Sequence, residues 1–496
     1  MEPVFPFDLD LSRRAAGTLA DALHQQLRAA ILDGRLAAGT ALPSTRRTAA
    51  ALGIARNTVV AAFDLLVAEG YVLPRTAARA VVADVATRRS PRPVRATARS
   101  RKVPARWLQP DLAREQPRAL PPRSFRLGMP ECDGFPHDAW RRLSARALRE
   151  FARTPFRYPP ANGLPALREA IAGHAAFSRA VACDAGDVLV TSGAQQAHHL
   201  LAQLLVTPGR TRVAVEDPGY PPARAAFLAA GAQLVPVPVD DEGMRVESLP
   251  ADVEIICVTP SHQSPTGVAM SMPRRRALLE FADRRGAVVV EDDYDGEFRF
   301  GGRPLDALQT LDGEGRVFYV GTFSKSLFPS IRKGYLVVPA WARDGLLNVK
   351  QVADPHCDMV AQATLAAFIR EGHLARHVRR MHPIYAARRR ALLGGLRAMA
   401  AWFEPIPSEA GLHLAVRIRD AGSASRVAAL VQRHAPGAVD IGGFASLSHP
   451  PALAFGYGAI DEAGITTALR ALARALARSG PAPAGPSSST HRIVTG

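Results

Sequence analysis

The segment Gly321–Tyr335 reads GTFSKSLFPSIRKGY. It continues the apolar run Val317–Val320, which is typical of a buried strand, so Lys325 comes soon after a predicted strand. A similar run, Val288–Tyr294 (VVVEDDY), ends in a tyrosine. It includes Asp292, which lies thirty-three residues before Lys325. An amine and a group of carboxylates therefore stand at the ends of two predicted strands.

Strand-like runs alternate with amphipathic helical segments around this region. Helical patterns at Pro165–Ala176 and Pro273–Arg285 lie between several of the runs. This alternation predicts an α/β domain over about residues 123–478, with a mostly parallel sheet covered by helices. The strand candidates are Val188–Thr191, Arg212–Glu216, Gln233–Val237, Ile255–Thr259, Ala287–Glu291, Val317–Gly321 and Tyr335–Val338.

The N-terminal part of the chain has a different pattern. Apolar residues recur every four positions from Leu19 onward. A turn follows, marked by Gly39 and Pro43, and Ser44 can then cap the next helix. The predicted elements are helices over 19–34, 44–52 and 56–69 and short strands over 71–73 and 80–85. Three helices followed by a hairpin are typical of a winged helix-turn-helix, which we assign to residues 12–85.

Two segments are unsuited to forming a core. Residues 86–122 are rich in arginine and proline, which predicts a solvated linker that can also attract phosphates. Residues 479–496 are rich in proline, glycine and serine, which predicts a disordered tail. The formal net charge of +17 favours a nucleic acid as a partner.

The composition argues against several other classes of protein. Hydrophobic residues make up 47% of the chain, which indicates a folded protein. The four cysteines lie far apart and form no C-x-x-C pair, so we expect neither a disulfide scaffold nor a metal site. The N-terminus lacks an apolar signal core, and no apolar run is long enough to cross a bilayer, so we expect a cytoplasmic protein without membrane partners.

Two stretches resemble known families. Leu42–Tyr71, LPSTRRTAAALGIARNTVVAAFDLLVAEGY, resembles the GntR superfamily of bacterial regulators, and this resemblance covers residues 19–85. The lysine and carboxylate segments resemble the fold-type I pyridoxal 5'-phosphate (PLP) enzymes, the aminotransferase group, over about residues 123–478. A GntR-like head joined to an aminotransferase-like domain is similar to the MocR family of regulators.

The resemblance implies PLP as the cofactor and a set of residues that bind it. Lys325 would form a Schiff base with the PLP aldehyde. Asp292 would keep the pyridine nitrogen protonated, Tyr294 would bond the ring hydroxyl, and the Arg332 guanidinium would bind the phosphate. Further implied contacts come from the hydroxyls of Thr322 and Ser324, the turn Ser192, Gly193, Ala194 and Gln195, the ring of Tyr220, the side chain of Ser264, and Tyr158 of a neighbouring subunit.

The GntR resemblance also implies which residues contact DNA. Ser44 and the start of its helix can offer N–H groups to a phosphate. Arg56, Asn57 and Thr58 open the third helix and can reach base edges in the major groove. Arg46 and Arg75 would flank that helix from the second helix and from the wing.

The sequence departs from these families at four places. Aminotransferases usually have asparagine where Ser264 stands, and a carboxylate-binding arginine where our alignment places Ala454. The GntR family usually has serine where Ala55 precedes the third helix, and a glycine-rich wing tip at Thr76–Arg79. Losing the arginine removes a bidentate charged contact to an α-amino acid, which favours PLP itself or a ligand without an α-carboxylate as the signal.

The sequence thus predicts a PLP-dependent, ligand-responsive transcription regulator that binds a double-stranded DNA operator. The expected effector is an amine, an amino acid or PLP itself, and the expected assembly is a head-to-tail homodimer. The alternative is an aminotransferase with a vestigial or autoregulatory DNA-binding head. Whether the aminotransferase-like domain retains part of the PLP chemistry is left open by the sequence.

Overall fold

The computed structural model describes residues 4–11, 17–74, 79–85, 107, 120–155, 157–301 and 306–479. The chain divides into two compact units, Met1–Lys102 and Val103–Gly496, and each is described here by itself. Three predicted features fall largely outside the described residues: the wing tip with Arg75, the linker apart from residues 107 and 120–122, and the tail after Ser479.

The first unit contains three helices and a small antiparallel hairpin, as predicted. Their bounds are α1 Leu19–Leu32, α2 Thr45–Leu52, α3 Arg56–Ala68, β1 Val72–Leu73 and β2 Val81–Val82. Thr18 and Asp21 form a capping box at the start of α1, and Gly53 ends α2 with a left-handed backbone (φ 63°). Phe5, which precedes the predicted boundary at residue 12, is buried in the core of this unit.

The second unit carries ten helices and twelve strands among its described residues. The helices are α4 His137–Phe151, α5 Pro165–Arg179, α6 Ala194–Leu205, α7 Pro221–Ala229, α8 Met272–Arg285, α9 Arg343–Ala353, α10 Met359–Arg370, α11 His373–Arg397, α12 Ala424–His434 and α13 Glu462–Arg478. The strands are β3 Val188–Thr191, β4 Arg212–Asp217, β5 Gln233–Asp240, β6 Gly243–Met244, β7 Ile255–Val258, β8 Val288–Asp293, β9 Val317–Thr322, β10 Gly334–Val337, β11 Phe403–Pro405, β12 His413–Ile418, β13 Val439–Asp440 and β14 Ala452–Gly456.

Eight of these strands form the main sheet in the order β3-β10-β9-β8-β7-β4-β5-β6. The pairs β4–β5, β4–β7, β7–β8 and β8–β9 are parallel, whereas β10 is antiparallel to both of its neighbours and β6 is antiparallel to β5. The predicted mostly parallel α/β sheet is thus confirmed. The strands β3, β7 and β8 are buried along their whole length or nearly so, because helices cover both faces of such a sheet.

The remaining four strands form a second, antiparallel sheet in the order β11-β12-β14-β13. We did not predict this sheet, because β11 and β13 have only three and two residues and carry too little pattern to recognise. Its core includes apolar residues of α11 and α13. Among the described residues, no helix combines the length and the apolar character that a membrane span requires.

Candidate functional site

The candidate site lies where the main sheet presents the carboxyl ends of its parallel strands. Thr191 ends β3, Asp292 comes near the end of β8, and Lys325 follows β9 by three residues. In open α/β sheets, ligands bind beyond these ends of the strands. The topology therefore brings together residues that lie far apart in the sequence.

Asp292 is buried, and its two carboxylate oxygens are in different situations. Oδ2 lies 2.9 Å from Nε2 of His198, which α6 carries into the region behind the strand end. Oδ1 is buried without a hydrogen-bond partner in the described structure. A buried carboxylate oxygen without a donor is costly, and a protonated pyridine nitrogen is a donor that would satisfy it. This observation fits a PLP ring.

Lys325 approaches the chain that precedes α4 very closely. Its Nζ donates a hydrogen bond of 2.7 Å to the carbonyl oxygen of Gly128. The backbone of Gly128 has φ +66°, which favours glycine, and a Cβ atom there would lie 2.6 Å from Nζ, so the lysine packs directly against this residue. Burial lowers the pKa of the Lys325 amine, although the nearby carboxylates of Asp295 and Asp292 oppose this. A lowered pKa increases the unprotonated, nucleophilic fraction of the amine.

The turn between β3 and α6 forms a site suited to a phosphate. Gly193, with φ +85°, precedes α6 and gives it no side-chain cap, and its carbonyl accepts from the Gln196 N–H, which leaves the earlier amides of the helix to face a phosphate. The Arg332 guanidinium donates a 2.6 Å hydrogen bond to the Ser192 carbonyl and lies within 3.0 Å of where a Cβ on Gly193 would be. Thr322 and Ser324 are buried beside this turn, with their hydroxyls 3.1 Å apart.

Tyr294 directly follows β8, and Ser264, in the loop after β7, lies within hydrogen-bond reach of it. The Tyr294 hydroxyl is 3.1 Å from Nδ1 of His262. Burial raises the pKa of Tyr294 well above its usual value, and a hydrogen bond from the Ser264 side chain acts in the opposite direction. Tyr294 therefore stays protonated and can donate to a ring hydroxyl.

Tyr220 and Tyr158 occupy different positions. Tyr220 precedes α7 and, together with His198 and Asp292, lines one small cavity, which suits the predicted stacking on the ring. Tyr158 is 87% exposed and lines a separate groove with His356. Within one chain the structure thus does not bring Tyr158 to the other predicted residues.

Four buried polar residues in this region, His198, His262, Asp295 and His413, were not among the predicted site residues. His262 Nδ1 lies 2.9 Å from Asp295 Oδ2, and the His262 ring is 4.4 Å from that of His413. These residues come from three separate segments, so no spacing in the sequence links them. His198 was also missed, because a single histidine on an amphipathic helix gives no recognisable signal.

The position of Ala454 is apolar in the structure. Ala454 is buried in β14 and belongs to a small cluster with Val268 and Ile406. Ala452, two residues earlier on the same face of the strand, belongs to the same cluster. Neither position gives a cation to a ligand carboxylate.

In the first unit, the predicted DNA-contacting residues lie at the starts of α2 and α3. The Ser44 hydroxyl accepts a 3.2 Å hydrogen bond from the Arg47 N–H and caps α2, whereas Ala55 gives α3 no side-chain cap. The Nε of Arg56 donates to the Thr45 hydroxyl over 3.4 Å, which ties the start of α3 to that of α2. The side chains of Arg46, Arg56 and Asn57 are exposed, and Thr58 is partly exposed.

Comparison with known proteins gives both halves of the chain a family. Residues 19–82 match the family of bacterial regulatory proteins called the gntR family, and residues 125–472 match aminotransferase class I and II. The chain is 40% identical to the probable rhizopine catabolism regulatory protein MocR of Rhizobium meliloti, over 82% of this chain and 83% of that protein. It is 35% identical to the HTH-type transcriptional regulator TauR of Rhodobacter capsulatus, over 82% and 88% of the two chains.

Solved structures agree with this result for the second unit. The chain resembles a kynurenine aminotransferase of Pyrococcus horikoshii with a TM-score of 0.66 and 28% identity, over 72% of this chain and 91% of the other. The α-aminoadipate aminotransferase LysN of Thermus thermophilus gives a TM-score of 0.65 and 29% identity, over 72% and 92%. The protein therefore belongs to the MocR-type regulators of the GntR superfamily, in which a DNA-binding helix-turn-helix is joined to a PLP-dependent aminotransferase-type domain.

Proposed function

We propose that this protein is a cytoplasmic, homodimeric regulator in which PLP at Lys325, alone or with an amine, sets the affinity of the head for its operator. The observation that carries the proposal is Oδ1 of Asp292, which is buried and has no hydrogen-bond partner in the described part of the chain. It stands at the same edge of the sheet as Lys325 and Arg332, in a chain that also carries a GntR head. The chain thus combines residues suited to binding PLP with a separate DNA-binding head.

Each residue of this set has a separate task in binding PLP. Arg332 and the first amides of α6 would hold the phosphate, and Asp292, whose carboxylate contacts His198, would accept a hydrogen bond from the pyridine nitrogen. When bound, PLP supplies an aldehyde carbon that captures amines and a ring that withdraws electrons. Lys325 provides the resident amine, and the Gly128 carbonyl accepts a hydrogen bond from its Nζ.

A signal follows only if the ligand binds the two states of the regulator with different affinity. Uptake of PLP at Lys325 would take Nζ away from the Gly128 carbonyl and satisfy Asp292, and an amine effector that displaces Lys325 would return its free amine to that carbonyl. Either event changes contacts in the segment that leads from residue 120 into the site. This gives two candidate signals, an amine (amino acids included) or PLP itself.

The test is the operator affinity of three forms of the protein: PLP-free, PLP-loaded and Lys325→Ala. We expect PLP or an added amine to change the affinity of the wild type and to have no such effect on Lys325→Ala. Equal affinity in all three forms, with and without amines, would contradict a switch. Turnover of amino acids with keto acids, measured on the same preparations, tests the alternative of a working aminotransferase.

A further inference from the structure

Arg126 lies in the segment that leads into the lysine site, and glycines hold its backbone in place. A Cβ atom on Gly437 would lie 2.7 Å from the Arg126 nitrogen, and one on Gly456 would collide with the Arg126 carbonyl oxygen. The Gly456 N–H donates a 2.9 Å hydrogen bond to the carbonyl of the preceding residue, Phe125. The position of Arg126 beside β14 is therefore fixed by close packing.

The same segment touches the reactive amine. Gly128 lies two residues after Arg126, and its carbonyl accepts the hydrogen bond from Lys325 Nζ. A Cβ atom on this glycine would lie only 2.6 Å from that nitrogen. Burial is the main cause that lowers the pKa of Lys325, and the positive charge of Arg126 lowers it further. Arg126 therefore lies two residues from the carbonyl that Lys325 contacts, and its side chain is exposed whereas Lys325 is partly buried.

Among the residues that the structure describes, the Arg126 guanidinium has no ion pair or side-chain hydrogen bond. Arg123, three residues earlier, pairs with both Asp133 and Asp461. A guanidinium keeps its charge at any pH of interest, and its planar fork matches a carboxylate or a sulfonate. On the neighbouring strand β14, Ala452 and Ala454 are buried in an apolar cluster and offer no cation. Arg126 is therefore a cation available to a ligand at this end of the site.

We propose that Arg126 binds the anionic group of the effector, a carboxylate or a sulfonate, while the effector's amine reaches the Lys325 site. The effector would then be an amino acid or aminosulfonate rather than a simple amine. This inference rests on the proposed function and makes it more specific. The anion contact would then lie on the segment before α4 and not on β14, where Ala454 stands.

The test uses pairs of compounds that differ only in the acidic group: L-leucine and 3-methylbutylamine, 5-aminopentanoate and butylamine, taurine and ethylamine. Each is titrated into the PLP-loaded full-length protein, and its dissociation constant is read from the absorption of the bound chromophore. We expect the wild type to bind at least one acid more tightly than its matched amine. Arg126→Ala should remove about tenfold to hundredfold of that preference, the effect of a hydrogen bond to a charged group.

Arg123→Ala is the matched control, since it removes an arginine from the same segment without touching the site, and it should keep the wild-type preference. A wild type without any preference for the acids, or an Arg126→Ala variant that retains the preference, would overturn the inference. PLP uptake is measured separately for every variant. Failure of the wild type to take up PLP would refute the proposed function itself, whereas normal uptake with an unchanged preference refutes only the role of Arg126.

Discussion

His198 Nε2 lies 2.9 Å from Oδ2 of Asp292, and the other oxygen of that carboxylate is buried without a partner among the residues that the structure describes. The histidine fixes the carboxylate in an orientation that leaves one oxygen for a ligand. In the PLP-free protein this arrangement costs stability, because the oxygen has lost its water and gained no donor. The PLP-free protein is thus less stable than it would be with a donor at this oxygen, and bound PLP would supply that donor.

The first prediction follows from this pair. Asp292→Asn should weaken PLP binding by roughly tenfold to hundredfold, because the pyridine nitrogen loses a charged acceptor. The PLP-free variant should melt at the same temperature as the wild type or higher, while PLP should raise its melting temperature less. Spectroscopic PLP titration and thermal unfolding measure both effects. Asp344→Asn, which changes an exposed residue of α9, is the control. Unaltered PLP affinity in Asp292→Asn would show that the ring does not lie there.

The second prediction concerns the covalent attachment. PLP-loaded wild type treated with borohydride should carry the cofactor on the peptide that contains Lys325, and Lys325→Ala should carry none. Lys333 is the matched control, because burial lowers the pKa of this neighbouring lysine as well. Lys333→Arg should still trap PLP at Lys325. Mass spectrometry of the digested protein identifies the site, and attachment to Lys333 instead would contradict the assignment.

The third prediction is the pH dependence of this attachment. Capture of the aldehyde requires the unprotonated amine, and burial lowers the pKa of Lys325. The rate of capture should therefore reach half of its maximum at a pH below about 10.4, the pKa of an ordinary lysine. Stopped-flow absorbance of the PLP-free protein mixed with PLP gives this profile. A midpoint at or above the ordinary value would contradict a buried, nucleophilic lysine.

Much of this site could be predicted because its chemistry restricts the residue types. A Schiff base needs a lysine and a pyridinium needs a carboxylate, so Lys325 and Asp292 can be recognised by identity and order. Their supports are not restricted in this way. The Asp292 carboxylate is oriented by a contact of its Oδ2 with Nε2 of His198. That contact exists only because α6 crosses this part of the sheet, which the sequence does not indicate.

The fold shows the same contrast. Long buried runs such as β4 and β8 predict strands, and the structure confirms them within two residues at either end. The direction of a strand has no local signal, so the reversal of β10 within the parallel sheet could not be read from Tyr335–Val338. The contact of Phe5 with the core of the first unit also depends on tertiary packing alone.

The fourth prediction tests the DNA reader. Arg56→Ala should reduce the preference for the operator over unrelated DNA by about 1–3 kcal/mol, the value of one bidentate base contact. Arg35→Ala, which removes an exposed arginine after α1, should leave this preference intact. Substitutions of the linker arginines between residues 88 and 106 should weaken binding to all sequences alike, because phosphate contacts carry no sequence information. Competition gel shifts at a fixed salt concentration measure the preference. If Arg56→Ala behaves like the linker variants, the N-terminal turn of α3 does not read bases.

The last prediction tests whether Tyr158 completes the phosphate site of the partner subunit. Tyr158 is exposed and lies apart from the residues of its own chain that suit PLP, so a contribution to its own site is disfavoured. In a mixed dimer, one subunit carries Tyr158→Ala and the other Lys325→Ala. If Tyr158 acts across the interface, the subunit that keeps Lys325 receives an intact tyrosine, and the dimer binds one PLP covalently with wild-type affinity. The control dimer has both changes in one subunit. Its remaining Lys325 then faces the altered subunit and should bind PLP about tenfold more weakly, the loss of one hydrogen bond to a phosphate. The opposite order of affinities would place Tyr158 in the site of its own chain, and equal affinities would remove it from PLP binding.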